Sequence, residues 1–122
     1  MHEAKIASLI LEKASNKLSL FADANEVKSI QLAVGKFRNI DTESLNFAFD
    51  ALKSENRIFE RTTLIIDEIE AIAICQENGH SYRIDFTGGF ACPICGGGIG
   101  KFESGQELEI RKIQLTSEEK NA

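Results

Sequence analysis

The 122-residue chain is 43% hydrophobic with a formal net charge of −5. That points to one compact unit or to one small core plus a satellite module, in the composition range of globular proteins. The acidic balance argues against a nucleic acid as the main partner, and no apolar run reaches the ~18 residues that cross a bilayer.

The opening stretch, MHEAKIASLILEKASNK, is amphipathic and acidic early. It lacks the basic start, unbroken apolar run and small-residue cleavage site of a signal peptide. Ile6, Leu9, Ile10, Ala14, Leu18 and Phe21 recur at steps of three and four, which predicts a helical stripe with Glu12, Lys13, Asn16 and Lys17 opposite. The segment ADANE breaks that pattern. VKSIQLAVG follows as a strand whose alternation is clear from Ile30 and which ends at Gly35. NIDTESLNFAFDALKSE predicts a second helix, capped by Asp41 or Thr42, with Leu45, Phe47, Ala48, Ala51 and Leu52 on its buried face.

In TTLIIDEIEAIAIC the apolar parity switches between Ile66 and Ile69. A strand with a bulge or a change of sheet face would produce that switch. ELEIRKIQL alternates again through Leu108, Ile110, Ile113 and Leu115, with a slip that suggests a further bulge. The expected fold is α+β: a small three-stranded sheet packed with two helices, and a zinc-ribbon-like lobe inserted between its last two strands. The expected division is residues 1–73 with 105–122 as one domain and 74–104 as the inserted lobe.

All three cysteines fall in ICQENGHSYRIDFTGGFACPICGGG. Cys92 and Cys95 form a CxxC pair on a turn stiffened by Pro93, with Gly96 to Gly98 behind it. Zinc takes four thiolate or imidazole donors in closed structural sites. Such usage fits a reducing compartment, the cytoplasm, better than a disulfide framework. A redox CxxC would want a thioredoxin-like βαβ setting, which is missing here.

Cys75 supplies a third thiolate, and three candidates stand for the fourth position. Asn78 holds the spacing of a missing CxxC cysteine, but an amide oxygen is a poor zinc donor. His80, favoured here, would complete a site with Cys75, Cys92 and Cys95; its alternative role is a hydrogen bond to a cysteine sulfur. The third candidate is water. Between Cys75 and Ser104 the charges are Glu77, Arg83, Asp85, Lys101 and Glu103, a net of −1, so the lobe lacks a phosphate-binding surface. A protein-docking zinc ribbon without metal delivery is the alternative function. A zinc hydrolase is disfavoured, because cysteine-rich zinc is a poor Lewis acid and no base or oxyanion motif accompanies it.

His2 can chelate through the terminal amine, an amide nitrogen and its imidazole, a nitrogen-rich set suited to Ni(II) or Cu(II). MHE opening an amphipathic helix, the VxxIxLxVG strand followed by a helix of LxFAFDAL type, the cysteine insert and the closing GQELEIRKIQL together resemble the HypA/HybF family of hydrogenase maturation nickel chaperones. The likeness runs from Met1 to about Leu115.

It implies a delivery protein and not an enzyme, binding Ni(II) as cargo and Zn(II) as a structural ion. The implied partners are a GTPase of the HypB type and a hydrogenase large-subunit precursor or urease accessory proteins, with no nucleic acid or membrane, the chain being a monomer or a dimer. Carried over, His2 is the nickel ligand, Glu3 stands beside it, and Asp41 is an acidic residue able to approach that site. Cys75, Cys92 and Cys95 match three of the family's four zinc cysteines. Two departures stand out. Asn78 replaces the fourth cysteine, and Lys36 stands where the family carries an acidic residue after the strand glycine.

Overall fold

The structure, a computed structural model, describes residues 3–18 and 26–116. Its elements are α1 (Glu3–Leu18), β1 (Val27–Gly35), α2 (Thr42–Lys53), β2 (Thr63–Ile69), β3 (Ile72–Cys75), β4 (Ser81–Arg83), β5 (Ile99–Ser104) and β6 (Leu108–Leu115). Short 3-10 turns at Lys36–Arg38 and Arg57–Phe59 punctuate the loops. The strands form two three-stranded sheets, in the orders β2-β1-β6 and β4-β3-β5. No helix among the described residues is long and apolar enough to cross a membrane.

The chain divides into two compact units. The first comprises Met1–Ala33, Ile40–Asp67 and Glu109–Ala122; the second comprises Val34–Asn39 and Glu68–Leu108. The second unit therefore takes in more chain than the 74–104 insert expected from the cysteine spacing.

In the first unit α1 and α2 pack on each other. Of the expected stripe on α1, Ile10, Ala14 and Leu18 are buried, together with Ala7, which it did not include; Ile6 is half-buried and Leu9 is 43% exposed. Phe21 and residues 22–25 lie outside the described residues. Asp41 is the N-cap of α2: its carboxylate accepts from the backbone N–H groups of Glu43 and Ser44 at 3.1 and 3.2 Å, using two of the donors a helix start leaves unpaired.

The buried face of α2 differs from the expected one. Leu45 and Phe49, one turn apart, are buried, whereas Phe47 is 78% exposed. Two residues on from Leu45 a helix has turned about 200°, so Phe47 and Leu45 cannot share a face. Phe49 and Phe59 are fully buried, with Ile30, Leu32, Leu45, Val27 and Thr62. The Thr62 hydroxyl is satisfied by donating to the Val27 carbonyl at 2.7 Å.

The expected parity switch, between Ile66 and Ile69, falls inside β2, and the change of sheet comes after it. β2 ends at Ile69, and the chain resumes as β3 in the other sheet. In the second unit β3 is the central strand, antiparallel to both β4 and β5, with Ala73 opposite Tyr82 on one side and Phe102 on the other. The β3–β5 register shifts twice, between Ile72 and Ala73 and between Ile74 and Cys75. Its core is Ala71, Ala73, Cys75, Tyr82, Ile84 and Cys92, with Phe37, Ile99 and Phe102 packed against it.

Gly35 and Gly105 meet backbone to backbone. A Cβ on Gly35 would fall 2.0 Å from the Gly105 carbonyl oxygen, and one on Gly105 would fall 2.4 Å from the Ala71 Cα. Two hydrogen bonds, Gly35 N–H to the Glu107 carbonyl and Phe37 N–H to the Gly105 carbonyl, hold that approach at 2.7 and 2.9 Å.

Candidate metal centre

The cysteines sit on two turns of one design. After β3, the Gly79 N–H donates back to the Cys75 carbonyl at 3.0 Å; after Ala91, the Gly96 N–H donates back to the Cys92 carbonyl at 2.8 Å. Both glycines have φ of +74°, a left-handed conformation that L side chains resist. The turns Cys75-Gln76-Glu77-Asn78-Gly79 and Cys92-Pro93-Ile94-Cys95-Gly96 therefore correspond residue for residue, with Asn78 at the place of Cys95. They are tied to the flanking chain by Gln76 N–H to the Gly98 carbonyl and Cys92 N–H to the Gly97 carbonyl, both at 2.9 Å.

This brings the three sulfurs within 4.8 Å of one another. Cys75 and Cys95 share a hydrogen bond at 3.5 Å. A tetrahedral zinc with Zn–S distances of about 2.3 Å needs sulfurs about 3.8 Å apart, so the donor set and its spacing fit that ion. Cys75 and Cys92 are buried and Cys95 is exposed. Gly97 lies against the cluster: a Cβ there would stand 3.1 and 3.2 Å from the Cys75 and Cys95 sulfurs.

The thiols differ in acidity. The Cys92 thiol is drawn down to about 7, chiefly by the backbone N–H of Cys95, with the Ile94 N–H and the Asn78 amide adding to it against the cost of burial. Cys95 is pushed the other way: the Gly97 N–H favours its thiolate, but the bond to Cys75, burial and the neighbouring Cys92 outweigh it. Beneath the cluster Tyr82 is held above its ordinary range by burial and then by the nearby cysteine sulfurs. Its hydroxyl donates to the Phe90 carbonyl at 2.8 Å.

Among the described residues, the metal-ligand group so formed holds Cys75, Cys92 and Cys95 and does not include His80. His80 is exposed, and its backbone N–H donates to Asn78 Oδ1 at 2.8 Å. The Asn78 amide nitrogen faces the sulfurs instead, 3.3 Å from Cys95 Sγ and 3.6 Å from Cys92 Sγ. The Cys-x-x-Asn spacing carried that signal. Which end of the amide points inward depends on the fold of the turn.

Of the residues assigned to nickel by resemblance, His2 lies outside the described residues. Glu3 and Asp41 are brought together: the Asp41 backbone N–H donates to Glu3 Oε2 at 3.2 Å. The Asp41 carboxyl is held below its ordinary value by the Ser44 backbone N–H first, then by the Ser44 hydroxyl and the Glu43 N–H. Lys36 is engaged within the second unit, its ammonium 2.6 Å from Glu70 Oε1, and Arg83 approaches the other Glu70 oxygen at 3.7 Å. The bond from Lys36 and the charges of Lys36 and Arg83 keep the Glu70 carboxyl below its ordinary range.

Fold and site define a small α+β protein with a thiolate-rich metal lobe. A family model described as hydrogenase/urease nickel incorporation, metallochaperone, hypA matches residues 1–115. The hydrogenase maturation factor HypA of Chlorobaculum parvum is 33% identical over 116 residues, spanning 94% of this chain and 99% of its own. That of Desulfosudis oleivorans is 32% identical over 116 residues, spanning 94% and 98%. In fold, the chain is similar to the solution structure of the nickel metallochaperone HypA from Helicobacter pylori, with a TM-score of 0.68 at 16% identity over 94% of this chain and 97% of that one. The chain belongs to the HypA family.

Proposed function

We propose that this chain is a nickel metallochaperone for maturation of a nickel–iron hydrogenase, with urease, which the family description also names, as a second client. The match of residues 1–115 to the family carries this reading. It casts the chain as a maturation factor, with nickel as cargo and not as a reaction centre.

His2, Glu3 and Asp41 are the proposed nickel residues. The contact between the Asp41 backbone and the Glu3 carboxylate supports the assignment, because it gathers two acidic residues distant in sequence at the start of α1, where His2 directly precedes Glu3. A nitrogen- and oxygen-rich donor set suits Ni(II), and thiolates suit zinc. The chemistry thus separates cargo from structural ion. Cys75, Cys92 and Cys95 would hold zinc, whose binding energy also folds the lobe and which requires thiolates, so that loading releases protons. The finer assignments are a GTPase of the HypB type as delivery partner, a hydrogenase large-subunit precursor or urease accessory proteins as recipients, and the cytoplasm as the compartment.

Nickel binding and zinc content of untagged wild-type and His2→Ala proteins test the reading. Loss of nickel binding in His2→Ala with zinc unchanged supports it. Nickel binding that survives the substitution, or that moves to the cysteines, overturns it.

A further inference from the structure

The correspondence of the two turns puts Asn78 where a fourth thiolate would stand, yet its side chain is turned the wrong way to ligate through oxygen. Oδ1 is committed to the His80 N–H at 2.8 Å, and Nδ2 points at the sulfurs of Cys95 and Cys92 at 3.3 and 3.6 Å. An amide N–H carries no lone pair for a metal; it donates to thiolates and withdraws charge from them. His80, one residue past the left-handed Gly79, takes part through its backbone, and its ring is outside the sulfur cluster.

We infer that Asn78 is a hydrogen-bond donor to the Cys92 and Cys95 thiolates and not a ligand, and that the lobe metal takes its fourth donor from outside the chain, as water or a small monodentate anion. The inference rests on the zinc-lobe part of the function proposed above and is independent of nickel delivery. Three thiolates around a divalent ion leave one negative charge where four would leave two. An anionic fourth donor therefore meets less repulsion than it would at a closed four-thiolate site, and the Asn78 N–H groups lower the charge on the sulfurs further. Zinc sites with three protein ligands and one external donor have this open character, and outer hydrogen bonds of this kind tune metal affinity by about 10- to 100-fold.

Cobalt(II) in place of zinc gives the readout, in a full-length His2→Ala background that keeps cobalt away from the terminal histidine. Azide is the probe. The visible cobalt bands should shift saturably with azide in that background and equally when His80→Ala is added. Asn78→Cys, which restores a fourth thiolate, should abolish the shift. Asn78→Ala should keep the azide response while weakening metal affinity about 10- to 100-fold.

Bands unmoved by azide in the parent protein overturn the inference. If His80→Ala then creates the response, the imidazole closes the site; if Asn78→Ala creates it, the amide oxygen does. Failure of cobalt to bind the cysteines also overturns it. None of these outcomes bears on nickel binding at His2, which is read separately by comparing nickel uptake with and without that histidine.

Discussion

The two units hold themselves together by different means. The first buries Phe49, Phe59, Ile30, Leu32, Leu45 and Val27 almost completely, large apolar side chains that stabilise by area removed from water. The second centres on Ala71, Ala73, Cys75, Tyr82, Ile84 and Cys92. Two of those six are cysteines and two are alanines, and the larger apolar side chains packed against them, Phe37, Ile99 and Phe102, are only partly buried. On the function proposed above, a metal ion across the sulfurs would complete that core. With that ion bound, one short chain would contain a solvent-driven fold and a coordination-driven one.

The largest effect that would break this contrast is metal removal. Structural zinc contributes on the order of 10 kcal/mol to the folding of small metal modules. A chelator should therefore abolish hydrogen-exchange protection in β3, β4 and β5 while α1, α2 and β1 keep theirs. Uniform loss, or none, would show that the two units do not differ in this way. Phe49→Ala attacks the other side: emptying a fully buried aromatic site costs about 3–5 kcal/mol, read as a lower urea midpoint, with zinc stoichiometry unchanged.

A smaller effect sharpens the comparison inside the first core. Thr62→Val keeps the shape but removes the bond to the Val27 carbonyl, which should cost about 1–3 kcal/mol in urea unfolding. The smallest effect concerns pH. The Asp41 carboxyl has a folded value below its ordinary 3.8. The unfolded chain therefore binds the proton first as pH falls, and the stabilisation is present above 3.8 and lost as pH drops through the lower folded value. Asp41→Asn should flatten the difference in stability between about pH 5 and pH 2 relative to wild type, measured by urea midpoints on zinc-free protein so that thiolate protonation does not intrude.

Much of the first unit was legible because helix and strand periods are written in single side chains. The stripe of α1, the limits of β1 and the cap of α2 could be read that way. Phe47 misled because hydrophobicity alone does not say which face of a short helix turns inward; Leu45 and Phe49 settle that by sharing one. The break between Ile69 and Ile72 left no trace in the alternation, because Ile69, Ala71 and Ala73 keep one parity across it; the switch that was visible lies earlier, inside β2. At the site, the CxxC spacing located the cysteines and the position of Asn78. The direction of its amide was hidden, because it depends on the His80 N–H, whose placement follows from the left-handed turn at Gly79. The pairing of Glu3 with Asp41 joins residues far apart in the chain and has no local signature.

The contact of Gly35, Gly105 and Ala71 bears on how this sequence can change over generations. A Cβ on Gly35 would meet the Gly105 backbone and one on Gly105 would meet the Ala71 backbone, so neither substitution is rescued by trimming a neighbouring side chain. Random drift can exchange a side chain on the metal turns without moving backbone. It cannot alter this crossing by single steps, and the crossing should outlast the ligand set when the protein is bred in the laboratory for a different metal.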